Sequence, residues 1–334
     1  MTIIHAANEL MPGHRKVCLA IGVFDGVHLG HQQIIRQTVS DARSHDSVAL
    51  VVTFDQHPNA VVAPDKTPPQ IFSRSQKLRA VEALGADALL EIPFDKNFSE
   101  KSGEDFIREL ARDLASDGAR LGEPQHSRTD EAAAGHRPAL RSNIFSVCVG
   151  ADFVFGRRRS GNVALLKTLG AELNFHVHGH AAVALDGETV SSTRIREAIR
   201  TGNLDAASQM LGRPYAICGG VIEGDKLGRQ LGFPTANLTA TNLVLPPNGV
   251  YAACTQVDGK FFRAALNLGL RPTVATEKAE LRVEAHLLDF VGELYGRELE
   301  VEIGSKLRTE QKFASPAELR EQIGRDVAAV RALG

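Results

Sequence analysis

The apolar run VCLAIGVF at residues 17–24 does not alternate, and it leads through the turn DGVHLGH into a segment where Ile35, Val39 and Ala42 recur at helical spacing. A second such run, SVALVVTF at 47–54, closes a strand–helix–strand unit. Strand-length runs with no polar face belong to strands covered on both sides, as in parallel sheets flanked by helices. That places the first part of the chain in the α/β class. The alternation continues with a helix expected over 75–84, a strand over 86–92, and a helix capped by Ser102 that carries Phe106, Ile107, Leu110 and Leu114. A strand follows at 146–153, a strand-like stretch at 174–184, and two short helices between Ser191 and Gly212.

Residues 116–143 break this rhythm. They are rich in Gly, Pro, Ala and charge and have no apolar period, so a surface insertion is expected there. A second change of character comes at Tyr215. From there short β-rich pieces (YAICGGVIEG, GVYAACTQVDG, KFFRAALNLG, LRVEAHLLDF, RELEVEIGSKL) are divided by turn residues about every ten positions, the rhythm of an antiparallel barrel. The helix PAELREQIGRDVAAVRAL closes the chain. Two modules are therefore expected, 1–211 and 212–334, which suits a length of 334 residues.

Composition narrows the partners. With 38 Lys+Arg against 40 Asp+Glu the net charge is −2, so no global positive field exists to hold a nucleic acid, and none is expected as a partner. Trp is absent and there are only 15 Phe and 3 Tyr, which weakens single-strand stacking further. Mean hydropathy is −0.12 and no apolar stretch approaches about 18 residues, so a membrane is not expected either. Cys18, Cys148, Cys218 and Cys254 are scattered, three of them in apolar runs. They read as buried free thiols, and with no secretory leader at the N-terminus the expected compartment is the cytoplasm.

His28 and His31 stand three apart in the first strand-to-helix turn, where fresh N–H groups and the helix dipole attract phosphate. Imidazole donors aimed there would stabilise the charge that builds on an α-phosphate during nucleotidyl transfer. If the attacking group is itself a phosphate, no protein base is needed. A metal pair and two uninvolved turn histidines stay open on the tetrapeptide alone. SSTRIR at 191–196 opens a later helix with three hydroxyls followed by Arg194 and Arg196, a second phosphate cradle with a bidentate clamp; simple capping by Ser192 is the alternative. The run Arg157, Arg158, Arg159 gates an anionic substrate or is a solvated loop. His176, His178 and His180 fall on one strand face, where a shared metal is geometrically conceivable.

In the second module Gly220, Gly224, Gly228 and Gly232 are spaced four apart and lead into Pro234, Thr235, Ala236 and Asn237. Glycines let backbone N–H groups approach phosphate, and Lys226 or Arg229 adds charge. Thr235 and Asn237 offer hard oxygen ligands suited to Mg²⁺ bound to ATP. Glu284 lies opposite Val283 and Ala285, a carboxylate placed to deprotonate an alcohol attacking a γ-phosphate. Turns between strands and a surface glutamate are the bland alternatives.

The ordered motifs GVFDGVHLGH, TFDQHP, VGADFVFG and SSTRIR resemble the FMN adenylyltransferase module of bacterial bifunctional riboflavin kinase/FAD synthetases, an α/β, Rossmann-like nucleotidylyltransferase of the HxGH type. The stretch GDKLGRQLGFPTANL, NGVYA, NLGLRPT, VEAHLLDF, LYG and LRTEQKF is similar to the riboflavin kinase module of the same family, a six-stranded antiparallel β-barrel with a C-terminal helix. The resemblance implies ATP-dependent phosphorylation of riboflavin to FMN and then adenylylation of FMN to FAD, with Mg²⁺. It implies catalytic roles for His28, His31, Arg196 and Glu284, and ATP contacts from Gly22, Phe24, Asp25, Gly26, Gly30, Ser192, Thr193, Gly224, Lys226, Gly228 and Gly232. It further implies flavin contacts from Phe54, His57, Asp152, Phe153, Arg308 and Phe313, and metal ligation by Thr235 and Asn237. Gln56, Asn162 and Leu270 depart from the family pattern. Two rivals stay open: another nucleotidylyltransferase fused to an unrelated barrel, and a flavin-binding regulator without turnover.

Overall fold

The computed structural model describes residues 1–13, 15–115, 142–225, 227–271 and 280–333. Lys226 and all of the expected insertion except Ser142 and Asn143 lie outside the described residues. The chain divides into two compact units, one of Met1–Pro68 with Leu78–Thr189, the other of Pro69–Lys77 with Val190–Gly334.

The first unit is built on six parallel strands, β1 (Thr2–Ile4), β2 (Val17–Ile21), β3 (Val48–Phe54), β4 (Ala88–Ile92), β5 (Ile144–Gly150) and β6 (His176–His180). Their order is β1-β4-β3-β2-β5-β6. The helices that accompany them are α1 (Leu29–Ser44), the part of α2 (Arg74–Glu82) from Leu78 onward, α3 (Gly103–Ala115) and α4 (Val163–Leu173). Leu19, Leu50, Val52, Leu90 and Val149 pack on one face with Phe106, Ile107, Leu110 and Leu114 of α3 and Leu166, Leu169 and Leu173 of α4. Cys18 and Ala49 face the other way, against Val39 and Ala42 of α1. Burial on both faces is why β2 and β3 carry no polar period.

Chain order reverses between β2 and β5, so their carboxyl ends flank a crevice of the kind where open α/β sheets bind ligands. Strand β2 ends at Ile21, short of the expected residue 24, because Phe24 (φ 52°), Gly26 (φ 78°) and Val27 (φ 39°) turn the chain through left-handed backbone. The strand-like stretch to 184 likewise stops at His180, and Ala184–Leu185 pair with Glu188–Thr189 in a separate hairpin. Ser102 caps α3 as expected, its hydroxyl accepting from the Asp105 N–H at 3.1 Å.

In the second unit α5 (Ser192–Arg200) and α6 (Leu204–Leu211) precede the barrel, and Gly212 ends α6 at φ 70°, a conformation that costs glycine little. Six antiparallel strands, β7 (Ala216–Ile222), β8 (Ala236–Leu238), β9 (Gly249–Val257), β10 (Lys260–Arg271), β11 (Glu280–Leu287) and β12 (Glu298–Arg308), close in the order β7-β8-β11-β10-β9-β12. Ala264, Leu266, Leu268, Val283, Ala285, Val301 and Ile303 fill the interior, and the residues between them face outward. Helix α7 (Pro316–Ala332), capped by Ser315, packs Val327 and Val330 with Ala252, Ala265 and Leu288 outside the barrel.

The cysteines are free, three buried and Cys254 half-buried. Burial pushes the Cys148 thiol up to about 12 and that of Cys254 up to about 11. Among the described residues no helix is long and apolar enough to cross a membrane.

Candidate active sites

In the first unit the turn after β2 gathers Gly22, Phe24, Asp25, Gly26, His28, Gly30 and His31. His28 caps α1, its Nδ1 accepting from the His31 N–H at 3.4 Å, and the two imidazoles stack with centroids 3.6 Å apart. Phe24 does not reach outward. It is buried, and its ring meets that of His31 edge-on at 5.3 Å. A side chain at Gly22 would press on the Phe24 ring, and one at Gly30 on the His28 ring. The turn is held from below by Thr53, whose hydroxyl donates to the Val23 carbonyl at 3.1 Å, and by Gln32, which donates to the Val27 carbonyl at 2.9 Å.

Burial, and secondarily the neighbouring His28, pushes the His31 imidazole well below its ordinary value. The ring is therefore neutral at pH 7. Its Nδ1 is buried and has no hydrogen-bond partner among the described residues. A buried nitrogen without a partner at a helix start is an opening for a ligand oxygen.

Beyond the same strand ends lies a cavity of about 410 Å³, walled by Phe54, Phe94, Phe98, Phe106, Phe153 and Phe155 and rimmed by Arg157, Arg158 and Arg159. Phe153 and Phe155 stack at 5.1 Å, and Phe54 meets Phe94 edge-on at 5.2 Å. Arg158 (φ 51°) and Arg159 (φ 60°) both hold left-handed backbone, a strain of about 1–3 kcal/mol each that the loop sustains. Of the expected flavin contacts in this unit, Phe54 and Phe153 line the cavity. His57 and Asp152 do not: the His57 Nδ1 accepts from the Asn59 N–H at 3.1 Å, and Asp152 is exposed. Gln56 donates to the Phe94 carbonyl at 2.9 Å, and Asn162 caps α4 by accepting from the Leu165 N–H at 2.9 Å, so both departures have local structural partners. On β6, His178 Nε2 lies 3.5 Å from Asp41 and its ring 6.4 Å from that of His180; among the described residues no three His, Cys, Asp or Glu side chains converge to hold a metal.

In the second unit the cap of α5 is Ser191, not Ser192: its hydroxyl accepts from the Arg194 N–H at 3.3 Å. The cap must have extended backbone, and Ser191 does (φ −148°, ψ 156°) while Ser192 is already helical. Thr193 is exposed. Arg196 is buried, and its Nε donates to the Pro69 carbonyl at 2.7 Å.

The outer wall of the barrel carries the other site, a cavity of about 310 Å³. Strand register places Asn237 of β8 opposite Glu284 of β11, and Glu284 opposite Asn267 of β10. These three form one outward-facing row across three strands. Thr235 joins Asn237 on the cavity wall, Gly228 lines it, and Arg308 and Phe313 close it from the side of α7. Arg308 forks onto Asp326 at 2.8–3.1 Å with its guanidinium 5.8 Å from the Phe313 ring centre. Gly224 stands so close to the Asn237 amide that a Cβ would overlap it, and Gly232 holds φ 91°. Within the glycine ladder Leu227–Leu231 form a short helix that its spacing does not announce.

Sequence reasoning passed over several lining residues. Arg282 donates to Glu284 at 3.3 Å and to Asp225 at 2.6 Å, joining the carboxylate to the glycine-rich loop. His286 Nδ1 pairs with the Pro234 carbonyl at 2.8 Å. Asn267, Arg282 and His286 share the outward parity of Glu284 or its cross-strand row, a period-2 signal that could have found them once β10 and β11 were paired.

Comparison with known proteins gives two family matches. A riboflavin kinase family model matches residues 211–333, and an FAD synthetase family model matches residues 11–126 and 139–194. The chain is 35% identical over 333 residues to the bifunctional riboflavin kinase/FMN adenylyltransferase of Escherichia coli K12, covering 99% of this chain and 97% of the relative. It is 36% identical to the enzyme of the same name from Pseudomonas fluorescens, covering 100% and 98%. A crystal structure described as a macrolide-efflux protein from Streptococcus pneumoniae superposes with a TM-score of 0.77 at 25% identity, over 99% of each chain.

Proposed function

The chain belongs to the bifunctional riboflavin kinase/FMN adenylyltransferase family, and on that premise we propose how its residues divide the two reactions. The protein phosphorylates riboflavin to FMN and adenylylates FMN to FAD, consuming ATP in each step. We assign the first step to residues 212–334 and the second to residues 1–211.

For the kinase step the row of Asn237, Glu284 and Asn267 on one cavity wall carries the reading. The Glu284 carboxylate takes the proton of the riboflavin 5′-hydroxyl as its oxygen bonds to the γ-phosphorus and the bond to the bridging oxygen of ADP breaks. Arg282 holds that carboxylate on the cavity side. Phe313 and Arg308 cover the flavin. Gly224, Gly228 and Gly232 shape the loop over the ATP phosphates, and the positive charge of Lys226 suits them.

ATP-dependent enzymes of this family generally use a divalent metal. The hydroxyl of Thr235 and the amide oxygen of Asn237 are hard donors, and the missing side chain at Gly224 keeps space beside that amide, which fits Mg²⁺. Bound there, Mg²⁺ would neutralise charge developing on the phosphates.

For the adenylyl step an oxygen of the FMN phosphate attacks the α-phosphorus and pyrophosphate departs, so no protein base is needed. His28 and His31 donate toward the ATP phosphates, supported by the partnerless His31 Nδ1 at the start of α1. Gly22, Phe24, Asp25, Gly26 and Gly30 shape that turn. Ser192, Thr193 and Arg196 grip the triphosphate. The phenylalanine cavity with Phe54 and Phe153 takes the isoalloxazine, and its arginine rim suits a phosphorylated flavin over riboflavin. His57 and Asp152, off the cavity wall, act at its approach. A net charge of −2 supports small-molecule substrates rather than nucleic acid or membrane, and the four free thiols support a reducing cytoplasm.

The test is chromatography of riboflavin, FMN and FAD after incubation with ATP and Mg²⁺. Glu284→Ala should stop FMN formation and spare the conversion of supplied FMN to FAD; equal loss of both would overturn the division.

A further inference from the structure

Residues 69–77 lie far from the barrel in sequence, yet they cluster with it, and the contacts that hold them are specific. The Gln70 N–H donates to the Asn242 carbonyl at 2.7 Å, and the Gln70 carbonyl accepts from the Val244 N–H at 2.8 Å, a parallel bridge beside Leu243. Tyr215, fully buried, donates its hydroxyl to the Val244 carbonyl and fixes that bridge from below. Ser75 donates to Glu298 at 2.6 Å, and the Arg213 guanidinium lies 5.1 Å from the centre of the Phe72 ring.

Gln76 is the centre of the arrangement. Only 3% exposed, it spends every polar atom: Nε2 donates to the Ala216 carbonyl at 3.0 Å and to Glu300 at 2.9 Å, and Oε1 accepts from the Ser73 N–H at 3.0 Å. The Ser73 hydroxyl accepts in turn from the Gln76 N–H at 3.3 Å, so Ser73–Gln76 is a capping box at the start of α2 whose glutamine also bolts the segment to β7 and β12. At the other end of the segment the Pro69 carbonyl accepts from Nε of the buried Arg196 at 2.7 Å.

We propose that residues 69–77 are a strap through which the barrel positions Arg196, so that the adenylyl step depends on contacts made by the kinase half of the chain, with Gln76 the main positioning residue. This rests on the assignment of Arg196 to the triphosphate. A guanidinium held at Nε by a fixed carbonyl keeps its fork oriented, and a strap that loosens lets Pro69 drift and the fork with it. None of Ser75, Gln76, Glu298 or Glu300 lines the kinase cavity, so the dependence runs in one direction.

The experiment uses the full chain. In Gln76→Leu the KM for ATP in the conversion of FMN to FAD should rise roughly tenfold, with FMN formation from riboflavin within twofold of the parent. In Arg196→Ala/Gln76→Leu the loss should be no greater than in Arg196→Ala alone, since Gln76 acts through Arg196. Glu300→Ala, which removes a half-buried partner of Gln76 and leaves the capping box intact, should give the same pattern at smaller size. Parallel loss of both activities in Gln76→Leu together with unchanged FAD formation in Glu300→Ala would overturn the strap, as would losses that add in the double variant. If Arg196→Ala leaves the ATP KM unchanged, the assignment of Arg196 itself falls and the strap falls with it.

Discussion

Under the assignment proposed above, the two units present donors to a triphosphate from opposite starting points. In the parallel sheet both faces of β2 and β3 are buried, so no mid-strand side chain is free for chemistry and the histidines sit past the strand end. In the barrel β11 buries its inward face and leaves Glu284 half-exposed on the other, so a carboxylate in mid-strand reaches a cavity simply by parity. A doubly covered sheet concentrates function at its ends, whereas a one-sided sheet spends alternate residues on it.

The largest expected effect tests the chemistry on each side. Glu284→Ala should lower the rate of FMN formation about 10²–10⁴-fold and leave adenylylation of FMN intact, while His28→Ala should do the reverse; stopped assays with riboflavin and with FMN as the starting flavin separate the two.

Next comes stability. Leu19→Ala in β2 and Leu287→Ala in β11 should each cost about 2–5 kcal/mol, because both side chains are buried. His286→Ala, one position from Leu287 on the outward parity, should cost under about 1 kcal/mol. Denaturant titration of the three variants would break the comparison if the outward position proved as costly as its neighbour.

A smaller effect is expected from the residue that links strand and loop. Arg282→Met releases Glu284 and the Asp225 contact together, and kcat for riboflavin phosphorylation should fall roughly tenfold with the riboflavin KM changed less. A change confined to KM would remove Arg282 from the positioning of the base.

The smallest effect is a pH dependence confined to the first unit. His31 is held below its ordinary value, so under about pH 6.5 the unfolded chain takes up a proton that the folded chain refuses. Stability should therefore rise with pH up to that point and level off above it. In His31→Gln this part of the acid slope should vanish in thermal melts from pH 5 to 7.5, and an unchanged slope would mean that the ring takes up its proton alike in the folded and unfolded chain.

The elements were legible where the signal was local. The non-alternating runs gave both parallel strands around the histidine turn, and the ten-residue rhythm after Tyr215 gave the barrel, because burial on two faces or on one writes its period directly into consecutive residues. His28, His31, Thr235, Asn237 and Glu284 stand out as candidates for a related reason: each sits in a short motif whose chemistry is readable without knowing its neighbours in space. The end of β2 was misjudged by three residues, since Phe24 is apolar enough to continue a strand and its left-handed backbone is visible only in the turn. Ser191 was passed over as the cap of α5 because two adjacent serines are equivalent on paper and differ only in backbone angle.

What the sequence determined by itself was the class of each half and the residue types at each candidate phosphate site, because local backbone geometry fixes periodicity and side-chain chemistry travels with the residue. Tertiary structure alone decided which distant residues meet. Asn267 and Arg282 join Glu284 through strand register, six phenylalanines from four segments enclose one cavity, and residues 69–77 fold onto a barrel that begins some 140 positions later. Such meetings depend on register and chain crossing, which are set by the packing of the whole unit and leave no period in the local sequence.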